Sequence, residues 1–372
     1  MLNPRWMRLL ALLLGLSLIA AACGDDDDGD TAAENTDETS SETDTETSDA
    51  GNEAESDFLA CEVTDTGGVD DRSFNENAYN GLVEAADEIG FEPKVLESQS
   101  DADFEPNIAT LVEQECDLIV TVGFLLGDAT EAAAQENTDT DFAIVDYAYE
   151  TEYENVLGLT YATDQAAFMA GYVAAAMSES GTVGTYGGLN IPTVSIFMKG
   201  FEAGIEYHNE QKGTDVKLVG WSTADDDGLF TGDFEDLSKG RQTTESLLDQ
   251  GADIILPVAG PVGQGSIEAI RAGGDAAKLI WVDTDGCESV PDACDLFLTS
   301  VKKNFDVSVK DAVTAAANGE FEGGVYSGTL ENDGVELAPF NEFEDQVPDE
   351  IKSELEEIRA GIIDGSIPTT LG

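Results

Sequence analysis

Basic residues are scarce in this chain. Lys and Arg number 16 against 78 Asp and Glu, a formal net charge of −62 over 372 residues. Such a field repels nucleic acid and anionic membrane surfaces. It also argues against phosphorylated ligands, which need local positive charge. Histidine is nearly absent, with His208 alone. No cysteine pair has CxxC spacing, so zinc is weakly supported. No G-x-S-x-G elbow and no Walker A pattern occur. Gly260-Pro-Val-Gly263-Gln-Gly265 lacks the Lys-Ser/Thr of a phosphate loop. Asp283-Thr-Asp285-Gly286 lacks the remaining ligands of a calcium loop. Paired carboxylates abound because the whole protein is acidic, so they mark no reaction centre. No catalytic constellation and no cofactor is implied. The acidic surplus is spread along the chain, which fits a saline habitat where salt screens the self-repulsion.

The first 22 residues stand apart. Arg5 and Arg8 precede an apolar run from Leu9 to Ala22, short for a membrane span but flanked like a secretory signal. The small residues directly before Cys23 resemble a bacterial lipobox. Residues 1–22 are therefore expected to be removed and Cys23 to carry lipid, anchoring the protein on the extracytoplasmic face of the cell membrane. Residues 23–57 contain no Lys, no Arg and, past Cys23, no apolar residue larger than Ala up to Asp57. Such a stretch cannot bury a core and is expected to be an acidic, solvated tether.

Four cysteines remain in the body of the chain. An exported protein permits disulfides. Cys287 and Cys294 bracket a short loop and are expected to pair. Cys61 lies on the first strand and Cys116 just before the strand 117–123. A second bridge follows if those strands are neighbours.

From Phe58 onward, apolar strands alternate with amphipathic helices. Strands are predicted at 58–64, 91–97, 118–122, 142–146 and 156–160, with helices at 76–89, 104–115 and 128–136. The rhythm restarts after a helix at 164–178, with strands at 182–186, 216–221, 253–257 and 278–283. Helices at 193–208, 236–250 and 266–272 separate them. Each strand is a continuous apolar run, as in parallel sheets covered on both faces. The pattern predicts α/β architecture with two doubly wound halves. Residues 58–158 plus about 300–325 are assigned to lobe one and 159–299 to lobe two. A return strand at 296–299 precedes a helix at 301–317. Residues 326–372 are read as a C-terminal hairpin (326–337) and helix (348–363) packing on the lobes. The loop Asp65-Thr-Gly-Gly-Val-Asp-Asp-Arg-Ser-Phe-Asn75 follows the first strand and leads into a helix. In open α/β sheets, ligands bind at such strand ends.

Several loops together resemble one family. Val63-Thr-Asp-Thr-Gly-Gly-Val-Asp-Asp-Arg-Ser-Phe-Asn75 is similar to its D-x-G-x-x-D-D-x-S-F-N signature. Gly158 to Gly171, Val183 to Pro192, Lys199 to Gly204, Gly232-Asp-Phe234-Glu-Asp, Ala259 to Gly265, Val282 to Asp285 and Thr299 to Lys303 follow in order. The chain thereby resembles the basic membrane protein family of substrate-binding lipoproteins, which includes purine-nucleoside receptors of the PnrA type. It departs from them in Gly260-Pro-Val-Gly263, in the polar insertion Ser222–Gly232, in the Cys287–Cys294 loop and at Gly286.

The resemblance implies a type I periplasmic-binding-protein fold, with two lobes joined by a multi-strand hinge. It implies a monomer that delivers a nucleoside to an ABC permease and its ATPase. In nucleoside-binding members two aromatics sandwich the base; Phe74 and Phe234 match them here. Asp283 and Lys303 are then expected to hold a ribose, with Asp146 equivalent at a first-lobe strand end. Asp65, with Asp71 or Asn75, would read the polar edge of the base. Gly260 would let the backbone approach the ligand. The rivals are a binding protein for a sugar or a riboflavin-like molecule, a nucleoside-acting enzyme, and a sensor lipoprotein.

Overall fold

The computed structural model describes residues 57–371. The signal segment, Cys23 and the tether up to residue 56 lie outside the described residues. The chain runs β1 (Ala60–Thr64), α1 (Phe74–Ile89), β2 (Lys94–Glu97), α2 (Phe104–Glu113), β3 (Leu118–Val122), α3 (Gly127–Glu136), β4 (Asp141–Val145) and β5 (Val156–Tyr161). It continues α4 (Thr163–Met177), β6 (Thr182–Gly187), α5 (Pro192–Lys212), β7 (Lys217–Val219), β8 (Trp221–Ser222), β9 (Asp227–Gly228), α6 (Leu237–Asp249), β10 (Ile254–Val258), α7 (Gln264–Ala272) and β11 (Lys278–Asp283). It ends α8 (Gly286–Ser289), β12 (Phe297–Lys303), α9 (Phe305–Ala317), β13 (Gly324–Gly328), β14 (Val335–Leu337) and α10 (Asp349–Ile363).

Two six-stranded sheets result. The first has the order β2-β1-β3-β4-β5-β13 and is parallel throughout. The second has the order β7-β6-β10-β11-β12-β14, parallel except for the edge strand β14. Each repeats the 2-1-3-4-5 winding of doubly wound domains, which opens a crevice at the carboxyl ends of the strands. The central strands β1, β3 and β10 are buried at every residue. Their largely apolar sequences need helices on both faces, and α1 to α3 and α5 to α7 are among those that supply them.

Three connections cross between the sheets: β5 to α4, β12 to α9 and β13 to β14. The fold is thus the two-lobed α/β architecture of type I periplasmic binding proteins. Several boundaries differ from the sequence-based ones. β5 lies wholly in the first sheet, so lobe one runs on to residue 161. The return strand extends to Lys303, because β11 and β14 flank it on both sides, and the helix begins only at Phe305. The expected hairpin 326–337 is two strands in different sheets. β13 completes the first sheet beside β5 and β14 the second beside β12. Each finds a free edge, so neither pairs with the other. The strand expected at 216–221 is broken at Gly220 into β7 and β8.

Disulfides join Cys61 to Cys116 and Cys287 to Cys294. The first sits in the buried outer face of lobe one with Ile108, Leu111 and Phe142. Among the described residues no helix is long and apolar enough to cross a membrane.

Candidate ligand-binding site

One cavity lies where the carboxyl ends of both sheets converge. It encloses about 600 Å³ of space, counting its opening to solvent. All nine residues expected to bind ligand line it: Asp65, Asp71, Phe74, Asn75, Asp146, Phe234, Gly260, Asp283 and Lys303. The topology explains the convergence. Asp65 follows β1, Asp146 follows β4, Gly260 follows β10, Asp283 ends β11 and Lys303 ends β12. Parallel strands all point their carboxyl ends the same way, so residues distant in sequence meet there.

Lys303 is the cation of the cavity and is 2% exposed. Its Nζ lies 2.6 Å from Asp146 Oδ2 of lobe one and 3.7 Å from Asp283 Oδ1 of lobe two. The rings of Phe197, Phe305 and Phe74 surround it, with centroids 4.9, 5.2 and 5.7 Å from Nζ. Asp146 and Asp283 have φ of 61° and 68°, in the left-handed region. Strain of this kind persists where the surroundings over-determine it, commonly at binding sites.

Phe74 opens α1, two residues before the helix start expected from the sequence. Its ring meets Phe305 edge-on at 5.1 Å and 82°, which fixes its orientation. Phe234 comes from the other lobe, on the turn between β9 and α6. The Asp233 carboxylate accepts the N–H groups of Glu235 and Asp236 and pairs with Lys239, shaping that turn. Phe234 rests on Gly188, where any Cβ would stand 2.2 Å from the ring. The two aromatics face one cavity from opposite lobes and do not form a ring pair with each other.

Asp71, expected as an alternative to Asn75 beside Asp65, lines the cavity with its oxygens engaged by the chain itself. Its oxygens accept the N–H groups of Ser73, Asn75 and Glu76 and the Asn75 side-chain amide. It caps the start of α1, satisfying donors that a helix N-terminus leaves open. Burial still pushes its carboxyl up to about 6, against the pull of those N–H groups. Asp283 is likewise raised to about 6 by burial, partly countered by Lys303 and raised further by nearby Asp146 and Asp71. Burial raises Asp65 and Asp146 as well, with Lys303 opposing the rise at Asp146. Four carboxylates and one ammonium therefore share a desolvated cavity. A phosphate would meet repulsion here, whereas hydroxyl and N–H donors would find acceptors.

A family model described as ABC transporter substrate-binding protein PnrA-like matches residues 58–368. The chain belongs to this family. A CD4+ T-cell-stimulating antigen of Listeria monocytogenes is 31% identical over 328 residues, covering 84% of this chain and 87% of that protein. An ABC transporter nucleoside-binding protein BmpA of Lactococcus lactis is also 31% identical over 328 residues, covering 84% of this chain and 88% of its own. A solved ABC transporter solute-binding protein from Aeropyrum pernix superposes with a TM-score of 0.75 at 27% identity, covering 84% of this chain and 94% of its own.

In this PnrA-like substrate-binding protein the cavity also contains residues that sequence reasoning did not single out. Phe197 of α5 forms an apolar wall under Lys303, with Ile191 and Val194 beside it. Gly123, Phe124 and Leu125 close the end of β3. Phe197 sits on a helix face that is buried along most of its length, so nothing in the periodicity separates it from core. Gly123 carried a signal: it directly follows a buried strand in the same position as Asp65 and Asp146. Among the described residues no group of three or more His, Cys, Asp or Glu side chains is arranged to hold a metal ion.

Proposed function

We propose that this protein is the receptor of an ABC importer that closes its two lobes on a nucleoside, of purine type, and hands it to the permease. The observation that carries this is the pair Phe74 and Phe234, facing one cavity from opposite lobes beside an Asp146–Lys303–Asp283 cluster. A nucleobase has two flat faces, and stacking on aromatics contributes about 1–3 kcal/mol per base. A ribose offers hydroxyls that donate to Asp283 and Asp146 and accept from Lys303. Gly260 has φ +51 and nothing within 4 Å of where a Cβ would stand, which leaves backbone open to the ligand. Motion of the lobes about the three crossings is the hinge closure of such receptors. Cys23 would anchor the protein to the membrane, keeping it near the permease and its ATPase.

The test is calorimetry with inosine, guanosine, adenosine and cytidine, alongside chromatography of each mixture after incubation. Binding of at least one purine nucleoside without change to it supports the proposal. Conversion of a nucleoside to products would favour an enzyme instead.

A further inference from the structure

The start of α1, in lobe one, reaches across to lobe two. Ser73 and Asn77 stand four residues apart, so their side chains share one face of the helix. Asn77 Nδ2 donates to the Lys303 carbonyl at 2.8 Å and to the Asp283 carbonyl at 3.4 Å. Ser73 Oγ lies 3.3 Å from both the Val282 carbonyl and Asp283 Oδ2. All these acceptors sit at the carboxyl ends of β11 and β12. The Asn77 amide orientation is thereby set, since an oxygen in that place would face two carbonyls. β11 and β12 run in register only as far as Asp283 and Lys302. Backbone groups past the end of a ladder need other partners, and Asn77 supplies them here. Asp283 also stands at φ 68°, a conformation that persists only where its surroundings hold it. The brace is itself anchored. A Cβ at Gly81 of α1 would stand 2.3 Å from the Asp306 carbonyl oxygen, so α1 lies tight against the start of α9. Ser73 and Asn77 are both buried, and neither lines the cavity.

We infer that Asn77 is a positioning residue for the sugar half of the site: from lobe one it braces the ends of β11 and β12, and so sets Asp283 and Lys303 where a ribose meets them. The inference rests on the nucleoside reading above. Asn77 touches no ligand and acts through the backbone of the two residues that do. Ser73 supports the same strand ends from the same helix face. Removing the Asn77 amide leaves two buried carbonyls without their donor, and the strand ends shift to find another. Phe74 keeps its own support, since its ring rests on Phe305 and Asp71 holds the start of α1. The loss therefore falls on the sugar and spares the base.

Titration calorimetry of the full chain and its variants with inosine and hypoxanthine, which differ only in the ribose, tests this. Asn77→Ala is expected to weaken inosine about three- to tenfold and hypoxanthine less than about twofold. Asn77→Asp keeps the size of the side chain but turns only acceptors towards the two carbonyls. It should weaken inosine more than Asn77→Ala does, whereas a residue that merely filled space would give the reverse order. A folded Asn77→Ala that binds inosine like the unaltered protein, or that loses the same factor for both ligands, overturns the inference and leaves the nucleoside reading standing. Where hypoxanthine binds too weakly to titrate, the order of the two variants on inosine decides; where Asn77→Asp does not fold, Asn77→Ala decides. Failure of every purine nucleoside to bind the unaltered protein overturns the nucleoside reading, and the inference with it.

Discussion

At the scale of single residues, the aromatic pair and the buried carboxylates make separable predictions. Phe74→Ala and Phe234→Ala should each weaken a purine nucleoside by about 1–3 kcal/mol, read by calorimetry. Unchanged affinity in both would remove the proposed sandwich. The carboxylates predict a pH dependence of stability. Asp71 and Asp283 are raised from 3.8 to about 6 in the fold, so their charged forms are disfavoured there relative to the unfolded chain. A raised group contributes stability that is complete below the unfolded value and is lost as pH rises through the folded one. The melting temperature of the unliganded protein should therefore rise as pH is lowered from 7 towards 4. A flat or falling profile over that window would contradict the burial of these groups. Phe74, Phe234 and Lys303 were legible because each sits in a block that resembles the family's, the two aromatics ahead of or at helix starts and Lys303 at the end of β12. The sequence could not separate the parts of Asp65, Asp71 and Asn75, since three polar residues within one loop look alike until the helix start claims one of them. Asp71 is claimed by three N–H groups of the chain, which spacing alone does not reveal.

At the scale of elements, the buried central strands were legible as apolar runs and the late edge strands were not. β13 and β14 are short, and their pairing depends on edges offered by β5 and β12, far away in sequence. The helices α4 and α5 show a second tertiary effect. Their approach is so close that a Cβ at Gly204 would stand 1.9 Å from the Phe168 carbonyl oxygen, and one at Gly171 would stand 2.0 Å from that of Phe201. Small residues in α4, seen in the sequence only as composition, permit this backbone contact. Gly204→Ala should destabilise the protein by about 1–3 kcal/mol through overpacking, measured by denaturant unfolding. Ligand affinity of the folded fraction should hold, since neither glycine lines the cavity. Undiminished stability would mean that the helices can part at little cost.

At the scale of the whole molecule, two lobes of the same winding meet across one acidic cavity and three chain crossings. Each lobe carries its own disulfide. Cys61–Cys116 spans 55 residues and Cys287–Cys294 spans 7. Loop-closure entropy then assigns about 4 kcal/mol to the first and about 2 kcal/mol to the second. Replacing the first pair by alanine should lower the melting temperature more than replacing the second; the reverse order would contradict an entropic origin. The central claim is that the lobes recognise a base as well as a sugar. Titrating inosine and ribose separately into the purified protein tests it most directly. Inosine is predicted to bind at least about fivefold tighter, matching the lower end of one stacked base. Ribose binding as tightly as inosine would contradict the account.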